Sequence, residues 1–229
     1  MSTEPEAGPG AAPGAPASRQ LLDLGPVAQV RAGRLGRRVP QLLAGLVLYG
    51  ASLALMVRGG LGLAPWDVLH YGLTLHLPIT LGQMVIGMSF VVLLLWIPLR
   101  ERPGVGTVAN ALLVGLAADA TLALLAPPEP TWASIALMAA GVVLNGVATA
   151  MYIGSQFGRG PRDGLMTGLV RRTGWSLRLV RTGLEVSVVL LGFLLGGVVG
   201  VGTVVYALAI GPLTQALLPR FTVHLPTRA

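Results

Sequence analysis

The sequence of 229 residues contains no cysteine and no lysine, and it has few charged or aromatic residues. Without cysteine, disulfide bonds, thiolate metal sites and cysteine nucleophiles are excluded. Charged residues make up 11% and aromatic residues 5% of the chain, whereas 53% are hydrophobic. With a mean hydropathy of +0.74, such a chain cannot build the polar surface of a soluble domain. The composition therefore indicates an integral membrane protein.

The sequence also lacks the patterns of common catalytic and metal sites. It has no arrangement of Ser, His and an acid, no phosphate-cradling loop and no cluster with metal-ligand spacing. We therefore expect neither an enzyme nor a bound cofactor or metal. The net charge of +7 does not indicate a nucleic-acid partner, because the arginines lie mainly at the ends of apolar stretches, where they orient membrane proteins.

Six apolar stretches are long enough to cross a hydrocarbon core as helices, which takes about 17 to 25 residues each. They cover residues 41–57, 79–99, 105–126, 132–153, 177–199 and 201–219. Only a glycine-rich turn separates the last two, which can alternatively be interpreted as one long broken helix. The prediction is an all-α membrane protein with six transmembrane helices. The lipid bilayer is its expected environment and partner.

The arginines flank alternate ends of these stretches, as expected for cytoplasmic loops. The arginines on the predicted cytoplasmic side are Arg31, Arg34, Arg37, Arg38, Arg100, Arg102, Arg159, Arg162, Arg171, Arg172, Arg178, Arg220 and Arg228. The opposite flanks carry only Arg58. We therefore expect a multi-pass protein of the bacterial cytoplasmic membrane with both termini in the cytoplasm.

A segment after the first stretch recurs after the fourth, 96 residues later, as Pro161 follows Pro65. The positions that agree are, in pairs, Gly62 and Gly158, Pro65 and Pro161, Asp67 and Asp163, and Gly72 and Gly168. Agreement in Pro, Asp and Gly at one offset indicates duplication. Since each copy contains three stretches, the second copy must enter the membrane from the opposite side, which predicts two inverted repeats. Duplication of a stable bundle without transport is the alternative.

The predicted organisation has four parts. Residues 1–38 form a disordered cytoplasmic tail with a basic juxtamembrane segment, since residues 1–20 are rich in Pro, Gly and Ala. Residues 39–130 and 131–221 form the two membrane repeats. Residues 222–229 form a short cytoplasmic tail.

Each motif opens a segment that is too short to span the membrane, residues 65–77 and 161–174, and we expect an interfacial or re-entrant helix there. Asp67 and Asp163 fall in the first turn, where a negative charge stabilises a helix. Alternatively, with Arg162, they bind a substrate or ion, the two carboxylates lying at the outer and inner mouths of a pathway. Trp66 fits an interfacial aromatic belt, and Gly160 completes the second motif.

Polar residues inside the stretches are further candidates, because they usually face a protein interior or water. Asp119 and its equivalent Gln215 form a matched pair that either binds a substrate or proton or ties helices together. Arg178, Arg181 and Glu185 form a charged ladder in the fifth stretch. A structural ion pair and a coupling site are both compatible with it.

The sequence resembles the YczE/YyaS/YitT group of bacterial membrane proteins. The resemblance lies in GLGLAPWDVL at residues 60–69 and GRGPRDGL at residues 158–165, and it extends over about residues 38–221. It is closest to the YczE-like branch, because the soluble C-terminal domain of YitT-type members is missing. The resemblance implies an integral membrane protein without an established substrate.

We therefore expect a small secondary transporter or exporter that uses alternating access on an unknown small molecule. A non-transporting scaffold, or a substrate-capturing subunit of a larger membrane complex, is the alternative. A third interpretation is a lipid-binding protein whose Arg171 and Arg172 hold anionic headgroups. The partner arrangements left open are a homo-oligomer and a membrane partner subunit.

Overall fold

The computed structural model describes residues 25–225, and within that range every regular element is a helix. The helices are α1 (Pro26–Arg31), α2 (Leu35–Gly59), α3 (Pro65–Thr74), α4 (Leu81–Leu99), α5 (Val105–Leu124), α6 (Thr131–Gly154), α7 (Pro161–Thr173), α8 (Leu177–Leu194) and α9 (Val201–Phe221). The predicted disordered residues 1–20 and Arg228 lie outside the described residues.

Five of these helices, α2, α4, α5, α6 and α9, are long and apolar enough to cross a membrane. The fifth predicted stretch corresponds to α8, an 18-residue helix that contains Arg178, Arg181 and Glu185 and is not among the five. Helices α8 and α9 are separate, because the chain turns through Gly196 at a φ of 88°. The all-helical membrane architecture is thus confirmed.

The equivalent helices of the two halves begin at the same spacing as the sequence motif. The four pairs of starting residues, each 96 positions apart, are Leu35 and Thr131, Pro65 and Pro161, Leu81 and Leu177, and Val105 and Val201. Helices α2 to α5 therefore correspond in order to α6 to α9.

The equivalent helices α2 and α6 cross each other closely at two glycines. A Cβ atom at Gly45 would lie 2.9 Å from the Tyr152 amide nitrogen, and one at Gly141 would lie 3.3 Å from the Met56 amide nitrogen. Small residues allow this approach of two backbones. Since the earlier residue of α2 meets the later residue of α6, the two helices run antiparallel.

Two seams join the halves, and they use equivalent atoms. In the Leu61 seam, the Leu61 carbonyl accepts a hydrogen bond from the Gly202 amide at the start of α9, at 2.7 Å. In the Phe157 seam, the Phe157 carbonyl accepts one from the Gly106 amide at the start of α5, at 2.8 Å. Each motif loop is therefore held by the first turn of a helix in the other half.

Glycine is needed beside each seam because the chain turns through the left-handed region there. Gly62 has a φ of 121° and Gly158 a φ of 107°. A Cβ at Gly62 would also lie 2.8 Å from the Thr203 amide nitrogen. The two glycines thus permit the turns that lead into the short helices α3 and α7, next to the seams between the halves.

An N-terminal strap, residues 26–38, covers the Phe157 seam. Arg38 is fully buried, and its guanidinium donates to the Ser155 carbonyl at 2.8 Å, the Gln156 carbonyl at 2.8 Å and the Gln29 carbonyl at 2.7 Å. It also lies 4.2 Å from the centre of the Phe157 ring. Residues 26–38, which the sequence assigns to a disordered tail, are therefore packed against the rest of the protein.

The end of the described chain packs on the same region. Val223 is fully buried, and its amide donates to the Gly154 carbonyl at 2.9 Å. Its own carbonyl accepts a bond from the Gln156 side chain at 2.6 Å. The first part of the predicted tail 222–229 is thus packed against α6.

Candidate functional site

A cavity of about 280 Å³ lies where the two halves meet. Helices α2 and α4 to α9 contribute to its wall, together with the start of α3. The polar residues on its wall are Tyr49, Ser89, Asn110, Thr149, Tyr152, Arg162, Asp163, Arg181, Glu185, Tyr206, Thr214 and Gln215. Such a concentration of polar groups among apolar helices indicates a functional interior.

Both motif helices begin at this cavity. Pro65 and Pro161 occupy the first position of α3 and α7, where the missing amide hydrogen costs nothing, and both line the cavity. Their next residues, Trp66 and Arg162, line it as well. Two helix N-termini, which carry partial positive charge, therefore meet at one site.

Asp67 and Arg162 form an ion pair across the halves, with 3.2 Å between Oδ1 and Nη2. The Asp67 side chain is 5% exposed and that of Arg162 is 23% exposed, so only the arginine is reachable from the cavity. His70 Nδ1 lies 3.2 Å from the same carboxylate oxygen. Burial opposes ionisation, but Arg162 and His70 hold the pKa of Asp67 below its ordinary value.

Arg162 also lies over the Trp66 ring, 5.4 Å from its centre. Trp66 occupies the position in the first motif that Arg162 occupies in the second, since the two are 96 residues apart. The equivalent residues therefore meet in a cation–π contact. The sequence pattern assigned Trp66 to an interfacial aromatic belt and did not predict its contact with Arg162.

Asp163 accepts a hydrogen bond from the Tyr152 hydroxyl. The hypothesis that Asp67 and Asp163 lie at opposite mouths of a pathway is corrected by this geometry. Asp67 bonds Arg162, the neighbour of Asp163, because α3 and α7 begin on the same cavity. Both carboxylates do lie in the first turn of their helices, as the alternative expects.

Asp119 and Gln215 do not share a site. Asp119 accepts bonds from the Thr80 hydroxyl at 2.5 Å and the Gly82 amide at 2.7 Å. It therefore ties the start of α4, whose N-cap is Thr80, to α5, which matches the interpretation as a link between helices. Gln215 instead lines the cavity.

The charged ladder is divided between the cavity and the surface. Arg181 Nε lies 2.9 Å from Glu185 Oε1, and both residues line the cavity. Arg178 is exposed and lies outside the cavity wall. The predicted ion pair is thus present, and it is part of the site.

The tyrosines of the site have a weaker sequence signal. The Tyr206 hydroxyl donates to the Asn145 side chain at 2.9 Å, and Asn145 donates to the Ser52 hydroxyl at 2.8 Å. Tyr152, the partner of Asp163, has Met56 at the equivalent position of the first repeat. Comparison of the two repeats therefore does not identify Tyr152 as a candidate site residue.

The remaining motif glycines serve packing. A Cβ at Gly72 would lie 2.6 Å from the Gly192 carbonyl oxygen, where α3 crosses α8. One at Gly168 would lie 3.1 Å from Leu99 Cβ, where α7 crosses α4. Gly160 lines the cavity as the N-cap of α7. Among residues 25–225, no group of His, Asp or Glu has the arrangement of a metal site.

Arg171 and Arg172, the candidates for binding anionic lipid headgroups, form hydrogen bonds with residues at the end of α4. Arg171 donates to the Leu99 carbonyl at 2.5 Å and lies 2.9 Å from a Glu101 carboxylate oxygen. Arg172 donates to the Pro98 carbonyl at 2.8 Å. These bonds fasten the end of α7 to the end of α4.

Comparison with known proteins gives one family and several relatives. A model of a family of unknown function, DUF6198, matches residues 36–219. An uncharacterised protein of Haemophilus influenzae is 42% identical over 177 residues, which cover 77% of this chain and 81% of the relative. The uncharacterised membrane protein YczE of Bacillus subtilis is 33% identical over 180 residues, covering 77% and 83%.

The uncharacterised protein YyaS of Bacillus subtilis is 25% identical over 182 residues, which cover 76% of this chain and 89% of the relative. No solved structure matches the chain. The predicted resemblance to the YczE/YyaS group is confirmed by these relatives.

Proposed function

We propose that this chain, which belongs to the DUF6198 family of unknown function, is a small secondary transporter with inverted halves. The observation that carries the proposal is the central cavity, which takes Arg162, Asp163, Arg181 and Glu185 from the second half and Tyr49 and Asn110 from the first. Charges within a membrane protein usually mark a substrate or ion pathway. Sites between repeats are a common feature of secondary transporters.

Helix α8 completes a six-span arrangement in this proposal. It differs from the five apolar helices because it carries three charged residues, Arg178, Arg181 and Glu185, and two of these line the cavity. A spanning helix tolerates charged residues that face a cavity within the protein, and both members of this ion pair line the cavity. With α8 as a span, each half has three spans, and the antiparallel crossing of α2 and α6 gives the halves opposite orientation.

The arginine distribution supports cytoplasmic termini, and cysteine labelling tests the whole topology. The chain has no cysteine, so single-cysteine variants need no prior substitution. A membrane-impermeant maleimide should label Glu129→Cys and Val199→Cys on intact spheroplasts. Arg102→Cys and Thr173→Cys should be labelled only after permeabilisation. Labelling of Val199→Cys and Thr173→Cys from the same side would remove the sixth span and the inverted topology.

Transport is tested with the purified full chain in proteoliposomes. The solutes are radiolabelled amino acids, sugars, nucleosides and organic acids, and at least one should enter at least tenfold faster than into protein-free vesicles. Arg162→Gln should abolish this difference, since it removes the charge that faces the cavity. Arg220→Gln is the matched control, because Arg220 is exposed and, within the described part of the chain, bonds the Ala216 carbonyl of its own helix. Equal rates with and without protein for every solute would reject the proposal.

A second candidate is a substrate-capturing subunit or scaffold of a larger membrane complex. The observation that favours it is that cavity charges are already paired within the protein, Arg162 with the buried Asp67 and Arg181 with Glu185. Purification from native membranes tests it. A stoichiometric ATPase or enzyme that coelutes with the chain would favour this candidate, whereas elution of the chain alone would count against it.

A further inference from the structure

The charged groups on the cavity wall come in equal numbers of each sign. Arg162 and Arg181 are the basic residues there, and Asp163 and Glu185 are the acidic ones. Because the surrounding helices are apolar, a net charge brought into this space by a ligand would meet few compensating groups. A ligand that carries one charge of each sign, however, meets a complementary partner for both.

We propose that the cavity binds small zwitterions that carry a carboxylate and an ammonium group, such as amino acids and dipeptides. This inference rests on the proposed transport function and names its substrate class. In the assigned orientation, the carboxylate faces Arg162 and the ammonium faces Asp163 and Glu185.

The carboxylate end has the stronger structural support. Arg162 is held by the buried Asp67 on one side and by the Trp66 ring on another, so its position is fixed before a ligand arrives. Its side chain nevertheless remains 23% exposed, which leaves donors free for a carboxylate. The adjacent starts of α3 and α7 add partial positive charge on the same side.

The ammonium end is formed by two carboxylates, each with one partner among residues 25–225. Asp163 accepts from the Tyr152 hydroxyl, and Glu185 pairs with Arg181 one helical turn before it. An ionised carboxylate can accept several hydrogen bonds, so each retains capacity for an ammonium group. Tyr49, Tyr206 and Trp66 add aromatic rings to the cavity wall.

The volume limits the size of the ligand. About 280 Å³ is just below the range of about 300 to 1,000 Å³ that is typical of small-molecule pockets. Such a space suits an amino acid or a dipeptide, whereas an oligosaccharide or a lipid is too large. The apolar wall, which includes Val85, Val114 and Ile210, favours apolar side chains on the ligand.

A binding experiment with three matched ligands tests the charge requirement. Thermal unfolding of the purified full chain in detergent is followed with leucine, with N-acetyl-leucine, which lacks the ammonium group, and with leucinamide, which lacks the carboxylate. Alanyl-leucine serves as the dipeptide. Leucine or alanyl-leucine should raise the unfolding midpoint, with an affinity at least tenfold above that of both singly charged analogues. Equal stabilisation by an analogue, or no stabilisation by either zwitterion, would overturn the inference.

Two variants locate the binding. Arg162→Gln should weaken binding of the zwitterion at least tenfold, and Arg220→Gln should leave it unchanged. If Arg162→Gln does not give a folded protein, the wild-type comparison of the ligands still decides, and Asp163→Asn provides a second variant with an expected loss of at least fivefold. Unchanged binding in both cavity variants would place the zwitterion elsewhere and overturn the inference.

Flux measurements in proteoliposomes separate this inference from the transport proposal. Binding of leucine without any flux would remove the transport function and leave the ligand class. Flux of an organic anion or cation without flux of zwitterions would remove the ligand class and leave the transport function.

Discussion

Helices α4 and α5 in the first half pack closely, whereas their equivalents α8 and α9 stand apart with the cavity between them. A Cβ at Gly115 of α5 would lie 2.3 Å from the Gly82 carbonyl oxygen of α4. The equivalent residue Gly211 has open space around it, and Arg178 occupies the position equivalent to Gly82. An arginine at the position of Gly82 is incompatible with such a close approach of two backbones.

The comparison teaches that the duplicated positions and the divergent positions have different roles. Positions that agree between the halves, such as Gly62 and Gly158, build the seams. The charges of the cavity come from the second half, where the first half has Trp66, Val85 and Ser89 at the positions of Arg162, Arg181 and Glu185. The scaffold is therefore common to both halves, and the chemistry belongs to one of them.

The largest effect is expected at the Phe157 seam, which the N-terminal strap covers. Arg38→Ala leaves the buried carbonyls of Ser155 and Gln156 without their donor, and we expect a loss of about 3 kcal/mol in the free energy of unfolding. Thermal or denaturant unfolding in detergent measures it. The control is Arg37→Ala, since Arg37 is exposed, and equal losses in the two variants would show that the strap does not stabilise the seam.

A smaller effect distinguishes the two helix pairs. Gly115→Ala should cost about 2 kcal/mol of unfolding free energy, because the added methyl group meets the Gly82 backbone. Gly211→Ala should be neutral or stabilise by up to about 1 kcal/mol, since alanine favours helices and nothing lies within 4 Å. Equilibrium unfolding of both variants measures the difference. Similar changes would mean that α8 and α9 pack as closely as α4 and α5.

The smallest effect concerns the other matched pair, Asp119 and Gln215. Asp119→Ala removes the acceptor of the Thr80 hydroxyl and the Gly82 amide and should cost about 1 kcal/mol of stability, while ligand affinity stays unchanged because Asp119 is outside the cavity wall. Gln215→Ala should have the opposite pattern, with little change in stability and weaker zwitterion binding. Unfolding and ligand titration on both proteins measure the two patterns. A change of affinity in Asp119→Ala would place Asp119 in the binding site.

The sequence was sufficient to predict helices α2 to α9, because the apolar stretches and the offset of 96 residues depend on local pattern, whereas α1 lies in the predicted tail. It was insufficient for the partners of individual side chains. The pairing of Asp67 with Arg162 requires that α3 and α7 begin at one point, and hydropathy contains no information about that approach. The hydrogen bond from the Gly82 amide to Asp119 likewise depends on Gly82, whose equivalent is Arg178. The repeat symmetry therefore predicted Asp119 and Gln215 as a matched pair, although the residues around them differ between the halves.

The two seams also differ in when they form during synthesis. When Phe157 leaves the ribosome, its partner Gly106 has already been synthesised. The Phe157 seam can therefore form as soon as Phe157 is available. Leu61 must wait for Gly202, which at translation rates of about 5 to 20 residues per second follows Phe157 by roughly 2 to 9 s. During that interval the first motif lacks the amide that holds it. A ribosome that stalls before α9 would therefore leave the Leu61 carbonyl without the Gly202 amide.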